Sequence, residues 1–163
     1  MDAPLPFARL ADRLGVVIWT PADVPGLDAM TVQQLSVNDA GAWSAVTVAL
    51  DGRRIVVVNS AQEARRIPSN VVHELAHVML GHAASRADIS EDGHLWLSTH
   101  GQDQEDEADW LAAALLLPRE GLLQCFARHR DAGRVSDHFK VSVALVRWRL
   151  NATGVARQVN GRA

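Results

Sequence analysis

The chain has no tyrosine and a single cysteine, Cys125. One cysteine excludes an internal disulfide, so nothing here resembles a secreted disulfide scaffold. No apolar run approaches the roughly 20 residues a helix needs to cross a bilayer, so no membrane partner is expected. Met1 to Pro6 lack a basic region followed by an apolar core, which predicts no signal peptide and a cytoplasmic protein. There is no internal repeat and no low-complexity tract, and the 163 residues are expected to form one domain with a core of its own. The net charge of -3 excludes a general nucleic-acid binder. The charge is uneven, however. From Arg128 onward eight Arg or Lys face only Asp131 and Asp137, a local balance of +6 against -9 elsewhere. That basic C-terminal region leaves contact with nucleic acid or an acidic partner open, beside the plainer reading of a solvated helix face.

Against this background stands His73-Glu74-Leu75-Ala76-His77, an H-E-x-x-H run inside the apolar stretch from Val71 to Leu80. An α-helix turns about 100° per residue, so residues four apart lie only about 40° apart around its axis. His73 and His77 can therefore aim their imidazoles at one point, with Glu74 close enough to act on water there. Two neutral imidazoles and an adjacent carboxylate are the start of a hydrolytic zinc site. The bare motif also arises by chance, so its setting matters. Val71, Val72, Leu75, Ala76, Val78, Met79 and Leu80 make the segment apolar on nearly every side, as in a buried helix. Two histidines and a glutamate are costly in such a place unless something offsets their polarity, and a metal does.

Around this segment the pattern is α+β: a small antiparallel β-sheet packed against a helical core. Phe7, Leu10, Ala11 and Leu14 have helical spacing, with Gly15 as a stop. Val16 to Trp19 is a short β-prone run, Ala22 to Met30 reads as a loop, and Thr31 to Leu35 as a short helix. Trp43 to Leu50 and Arg54 to Asn59 flank Asp51-Gly52, a hairpin signal. Ser60-Ala61-Gln62-Glu63 fits a capping box opening a short helix. Pro68-Ser69-Asn70 starts the H-E-x-x-H helix and Gly81 ends it. Ala84 to Gln104 is polar and irregular, Glu105 to Leu117 is helical, and Pro118 to Arg130 and Ser136 to Leu150 read as two further helices, the last capped near Val135-Ser136. The single domain thus divides into an N-terminal helix and sheet region (1–60), the site helices (61–118) and a C-terminal helical region (119–163).

A catalytic zinc usually has three protein ligands and one open position. His82 is nine residues from His73, hence about 180° around the helix, and reads as a helix-end residue near the last carbonyls. The better candidate lies on the next helix. In Glu105-Asp106-Glu107-Ala108-Asp109-Trp110-Leu111-Ala112 the residues Ala108, Ala112 and Leu115 share a stripe with Glu105, and small side chains let two helices approach closely. Glu105 can then ligate the metal, and Asp109, four residues on, can accept a hydrogen bond from the outer nitrogen of a ligand histidine. An acidic helix start favoured by the macrodipole would explain the cluster but not the alanine stripe.

The pairing of HELAH with Glu105 to Pro118 resembles the ImmA/IrrE family of zinc metallopeptidases, in which an H-E-x-x-H helix is followed by a motif close to E-x-x-A-N-x-F-A-x-x-L-L-M-P. Phe139 to Leu150 resembles the family's F-x-V-S-x-x-A-x-x-x-R-L ending, so the likeness covers roughly residues 50 to 150. Asp109 stands where the family often has Asn, and Leu111 where it often has Phe. The resemblance implies a zincin-like fold of gluzincin type. It also implies Zn²⁺, with Mn²⁺ as a substitute, held by His73, His77 and Glu105, with Glu74 as catalytic glutamate. Glu107 stays open as the alternative third ligand, although the spacing from Glu105 to Asp109 matches the E-x-x-x-D of thermolysin-like enzymes.

With no tyrosine to stabilise an oxyanion, His94 and His100 are the candidates for that role or for substrate contact. Cys125 has Leu122, Leu123 and Phe126 around it and reads as core; a thiolate closing the open zinc position is the regulatory alternative. Trp96, Trp110 and Trp148 read as core or groove packing rather than substrate anchors. The resemblance implies a helix-turn-helix repressor as protein partner, cut or antagonised in a stress, DNA-damage or phage-defence response. A metal-stabilised anti-repressor that binds without cleaving is the second reading.

Overall fold

The computed structural model describes residues 3–161 except 40, 51, 84–86, 90–94 and 98–99, and only the backbone of 87–89 and 95–97. Helix α1 (Phe7–Leu14) stops at Gly15, which takes the left-handed conformation (φ +65°) that a side chain disfavours. It feeds directly into strand β1 (Val16–Trp19). A 3₁₀ turn (Pro21–Asp23) and helix α2 (Ala29–Gln33), which widens into a π turn over Gln34–Asn38, lead to the hairpin of β2 (Ala45–Leu50) and β3 (Arg53–Val58). Gly52 turns that hairpin with φ +73°.

The sheet order is β1-β3-β2. The antiparallel sheet expected from the sequence is correct for β2 and β3 but not for β1, which runs parallel to β3 with Val16 opposite Arg54 and Trp19 opposite Val57. The hairpin leaves one edge of β3 unpaired. The apolar β1 fills that edge, running in the same direction as β3. The fold remains α+β.

Helix α3 (Ile67–Leu80) crosses the middle of the molecule. Four successive i, i+4 pairs divide its surface. Val71 and Leu75 pack with Val16, Val56 and Val58 of the sheet and Ala11 of α1. Val72 and Ala76 face Ala108 and Ala112 of helix α4 (Gln102–Leu116). Of the next two pairs, His73 and His77 turn toward Glu105 of α4, while Glu74 meets Thr47 of the sheet and Val78 packs at the edge of the sheet-side core. Leu75 is wholly buried, which is worth about 1.5–3 kcal/mol relative to exposure. Gly81 ends the helix at φ +74°.

Between α3 and α4 a two-stranded antiparallel ladder, β4 (Ala87–Ile89) with β5 (Leu95–Leu97), occupies part of the stretch expected to be irregular. Helices α5 (Arg119–His129), α6 (Ala132–Phe139), α7 (Val143–Ala152) and α8 (Val155–Asn160) pack around Leu122, Val135, Phe139, Val146 and Val155.

Two local expectations are overturned. No helix opens at Ser60; Asn59 instead accepts from Ala61 N (3.0 Å) and donates to Trp43 O (3.0 Å), forming turns that end only at Ile67. Ser136 to Leu150 is not one helix: Lys140 takes φ +58°, and Ser142 starts α7 by accepting from Leu145 N (3.2 Å). Ser136 is no cap but a buried hydroxyl donating to Val141 O (2.5 Å) across that break. No helix among the described residues is long and apolar enough to cross a membrane.

Candidate active site

The alanine face of α4 lies against α3, and this places Glu105 over the two histidines. His73 Nε2 and His77 Nε2 are 3.0 Å apart, and Glu105 Oε2 lies 3.1 Å from the first and 3.7 Å from the second. One ligand atom from each falls within 4.8 Å of the others, making these three the one group among the described residues that could hold a metal ion. Two imidazoles and a carboxylate suit zinc in both ligand type and count.

Tautomers support that fit. Asp109 Oδ1 lies 2.8 Å from His73 Nδ1. With a metal on Nε2, the ring's proton would sit on Nδ1 and Asp109 would accept it, which holds His73 in its ligating tautomer. The helical repeat explains the reach: Glu105 and Asp109 sit one above the other on α4, one meeting each nitrogen of the same ring. Glu107 does not join the group. It points to His82, with Oε2 3.2 Å from His82 Nε2.

His77 is nearly inaccessible to solvent. Burial, then the neighbouring His100 and His73 charges, push its pKa down to about 4, against an opposing pull from Glu105. A ring that stays neutral at physiological pH keeps a lone pair available to a metal.

Glu74 turns toward the sheet, where its Oε2 accepts from Thr47 Oγ1 at 2.5 Å. Thr47 is the buried residue of β2, directly opposite Val56 of β3. The sheet thus fixes one carboxylate oxygen of Glu74. His100 stacks on His77 with centroids 3.8 Å apart, and its Nε2 donates to Ala83 O (2.8 Å) while Nδ1 lies 3.3 Å from Glu105 Oε1.

Of the other residues singled out, His94 lies outside the described residues. Cys125 is buried in the helical core with Leu122 and Phe126 and belongs to no metal group among the described residues. Trp110 and Trp148 are half exposed, at a groove and not in the core; their rings meet edge to face at 5.7 Å, and the buried Arg149 lies under Trp110. With Asp106, Asp109 and Leu145 they line a groove of about 520 Å³ beside the site. The side chain of Trp96 lies outside the described residues.

Two residues reach the site without a motif to mark them. Thr47 carried one signal, a hydroxyl on the inward face of a strand otherwise apolar there. His82 carried none, because Gly81 turns the chain off the helical repeat that sequence spacing assumes. Its ring folds back so that Nδ1 lies 2.9 Å from His77 Nδ1.

A family model described as an IrrE N-terminal-like domain, of the M78 peptidases, matches residues 11–151, which include every site residue above. No curated protein and no solved structure matches the chain.

Proposed function

The chain belongs to the IrrE N-terminal-like domain family of metallopeptidase-type hydrolases, and from that premise we propose that it is a zinc-dependent endopeptidase of gluzincin type. The observation that carries the reading is the meeting of His73 Nε2, His77 Nε2 and Glu105 Oε2, with Glu74 one residue from the first ligand. In this reading those three hold the metal, Zn²⁺ with Mn²⁺ able to substitute. A bound divalent ion supplies Lewis-acid polarisation of a carbonyl and makes water more acidic.

The chain's own groups do the rest. Thr47 holds Oε2 of Glu74 and leaves Oε1 to accept a proton from the attacking water. As the scissile C–N bond breaks, Glu74 returns that proton to the amine nitrogen, so the carboxylate is regenerated. Asp109 keeps the His73 ring in its ligating tautomer. The His100 ring, stacked on His77, screens it from water. The groove of Trp110, Trp148, Asp106 and Asp109 offers an apolar floor with acidic walls, a fit for a basic peptide segment.

The partner we propose is a helix-turn-helix repressor, cleaved to relieve repression in a stress, DNA-damage or phage-defence response. The motif likeness supports it, and the acidic groove suits a basic DNA-binding substrate. The test is incubation of the zinc-loaded protein with the repressor encoded beside its gene. Cleavage by wild type and none by Glu74→Gln supports the proposal; derepression by intact Glu74→Gln without cleavage indicates an anti-repressor instead.

A further inference from the structure

His77 meets His82 nitrogen to nitrogen, Nδ1 to Nδ1 at 2.9 Å, and His82 Nε2 in turn lies 3.2 Å from Glu107 Oε2. His77 and His82 are buried, whereas the Glu107 side chain is 63% exposed. Neutral imidazole carries one donor and one acceptor, so two facing nitrogens bond only if one is protonated and the other bare. Two arrangements satisfy the histidine pair by itself. Glu107 selects between them. A carboxylate only accepts, so His82 must carry its proton on Nε2. His82 Nδ1 is then bare and must receive a proton from His77 Nδ1. His77 Nε2 is left as a lone pair facing His73 Nε2 at 3.0 Å, a contact that bonds in the metal-free protein only with His73 as donor and that a metal would replace. With Glu107 absent, the reversed pair puts the proton on His77 Nε2 and points it at the metal position.

We propose that Glu107 and His82 are positioning residues, a relay that fixes the ligating tautomer of His77 as Asp109 fixes that of His73. The inference rests on the metal site proposed above. Each ligand histidine then has an outer carboxylate from α4, direct for His73 and through His82 for His77. The two outer carboxylates are two residues apart on α4, with Glu105 in the turn before them. Burial excludes water from the His77–His82 bond, so no solvent acceptor can replace it. The turn at Gly81 makes the relay possible by carrying His82 off the helix and back over His77.

The experiment is zinc competition against a chromophoric chelator, paired with ring-nitrogen NMR of the metal-free protein. His82→Leu is expected to bind zinc on the order of 10–100-fold more weakly. His82→Asn, whose side-chain oxygen replaces the Nδ1 acceptor, stays close to wild type. Glu107→Ala, at an exposed position that does not endanger folding, weakens binding by about 10-fold, and Glu107→Gln, which keeps an acceptor oxygen, by less. The spectra should show His77 protonated at Nδ1 and His82 at Nε2 in wild type, with that preference lost in Glu107→Ala. Unchanged zinc binding in both His82→Leu and Glu107→Ala, or a wild-type His77 protonated at Nε2, overturns the relay. A wild-type protein that fails to bind zinc overturns the metal site itself, while the spectra still decide the relay.

Discussion

At the scale of single residues, the site depends on which atom of each side chain is already engaged. Glu74 has one oxygen held by Thr47 and one with no hydrogen-bond partner among the described residues. Hydrogen bonds to charged groups are worth about 1.5–3 kcal/mol. Thr47→Val should therefore lower kcat for peptide hydrolysis by roughly tenfold with zinc affinity unchanged, and Thr47→Ser should restore most of it. Steady-state kinetics on a fluorogenic peptide beside chelator competition checks both. His77 yields a second prediction. Its folded pKa lies near 4, against 6.5 for the free side chain. As pH falls from about 6.5 toward 4, the unfolded chain takes up a proton that the folded protein refuses, so the metal-free protein loses stability across that window. Urea midpoints at pH 7 and pH 5 should fall for wild type and fall less for His77→Asn; equal slopes would refute this origin.

At the scale of elements, the site exists because α3 and α4 come close. Ala76, Ala108 and Ala112 form the contact, all buried. Ala112→Leu should push the helices apart, at a cost of about 1–3 kcal/mol in stability. Because Glu105 rides on α4 and the histidines on α3, the same substitution should weaken zinc binding, whereas an equally destabilising substitution in the α5–α8 cluster should not. Thermal melts with zinc titrations separate the two. This pairing was legible in the sequence, since H-E-x-x-H fixes one helix face and the Glu105–Ala108–Ala112 stripe fixes the other. What was not legible lies where the chain leaves a regular repeat. Periodicity cannot foresee the left-handed Lys140 that splits α6 from α7, the parallel pairing of β1, or the return of His82 past Gly81. Each depends on a backbone turn or a distant partner rather than on local spacing. Glu105 and Glu107 were hard to separate from sequence for the same reason: both lie in the first turns of α4, and only the position of His82 tells which side chain each faces.

At the scale of the whole molecule, one helix joins two cores. Helix α3 buries Val71 and Leu75 against the sheet and Val72 and Ala76 against the C-terminal helices. A metal bound between α3 and α4 therefore tightens the joint between both halves. Ligand bound only by the folded state adds about 2.7 kcal/mol at 100 times its dissociation constant. Zinc should raise the melting temperature reversibly, and a chelator should return it. The most direct test of the central claim is peptide hydrolysis by wild type and Glu74→Gln, both loaded with zinc to the same occupancy. A positioned general base contributes on the order of 10²–10⁴-fold. Loss of that size in Glu74→Gln, with zinc still bound, is the predicted result. Hydrolysis by Glu74→Gln at the wild-type rate would contradict it.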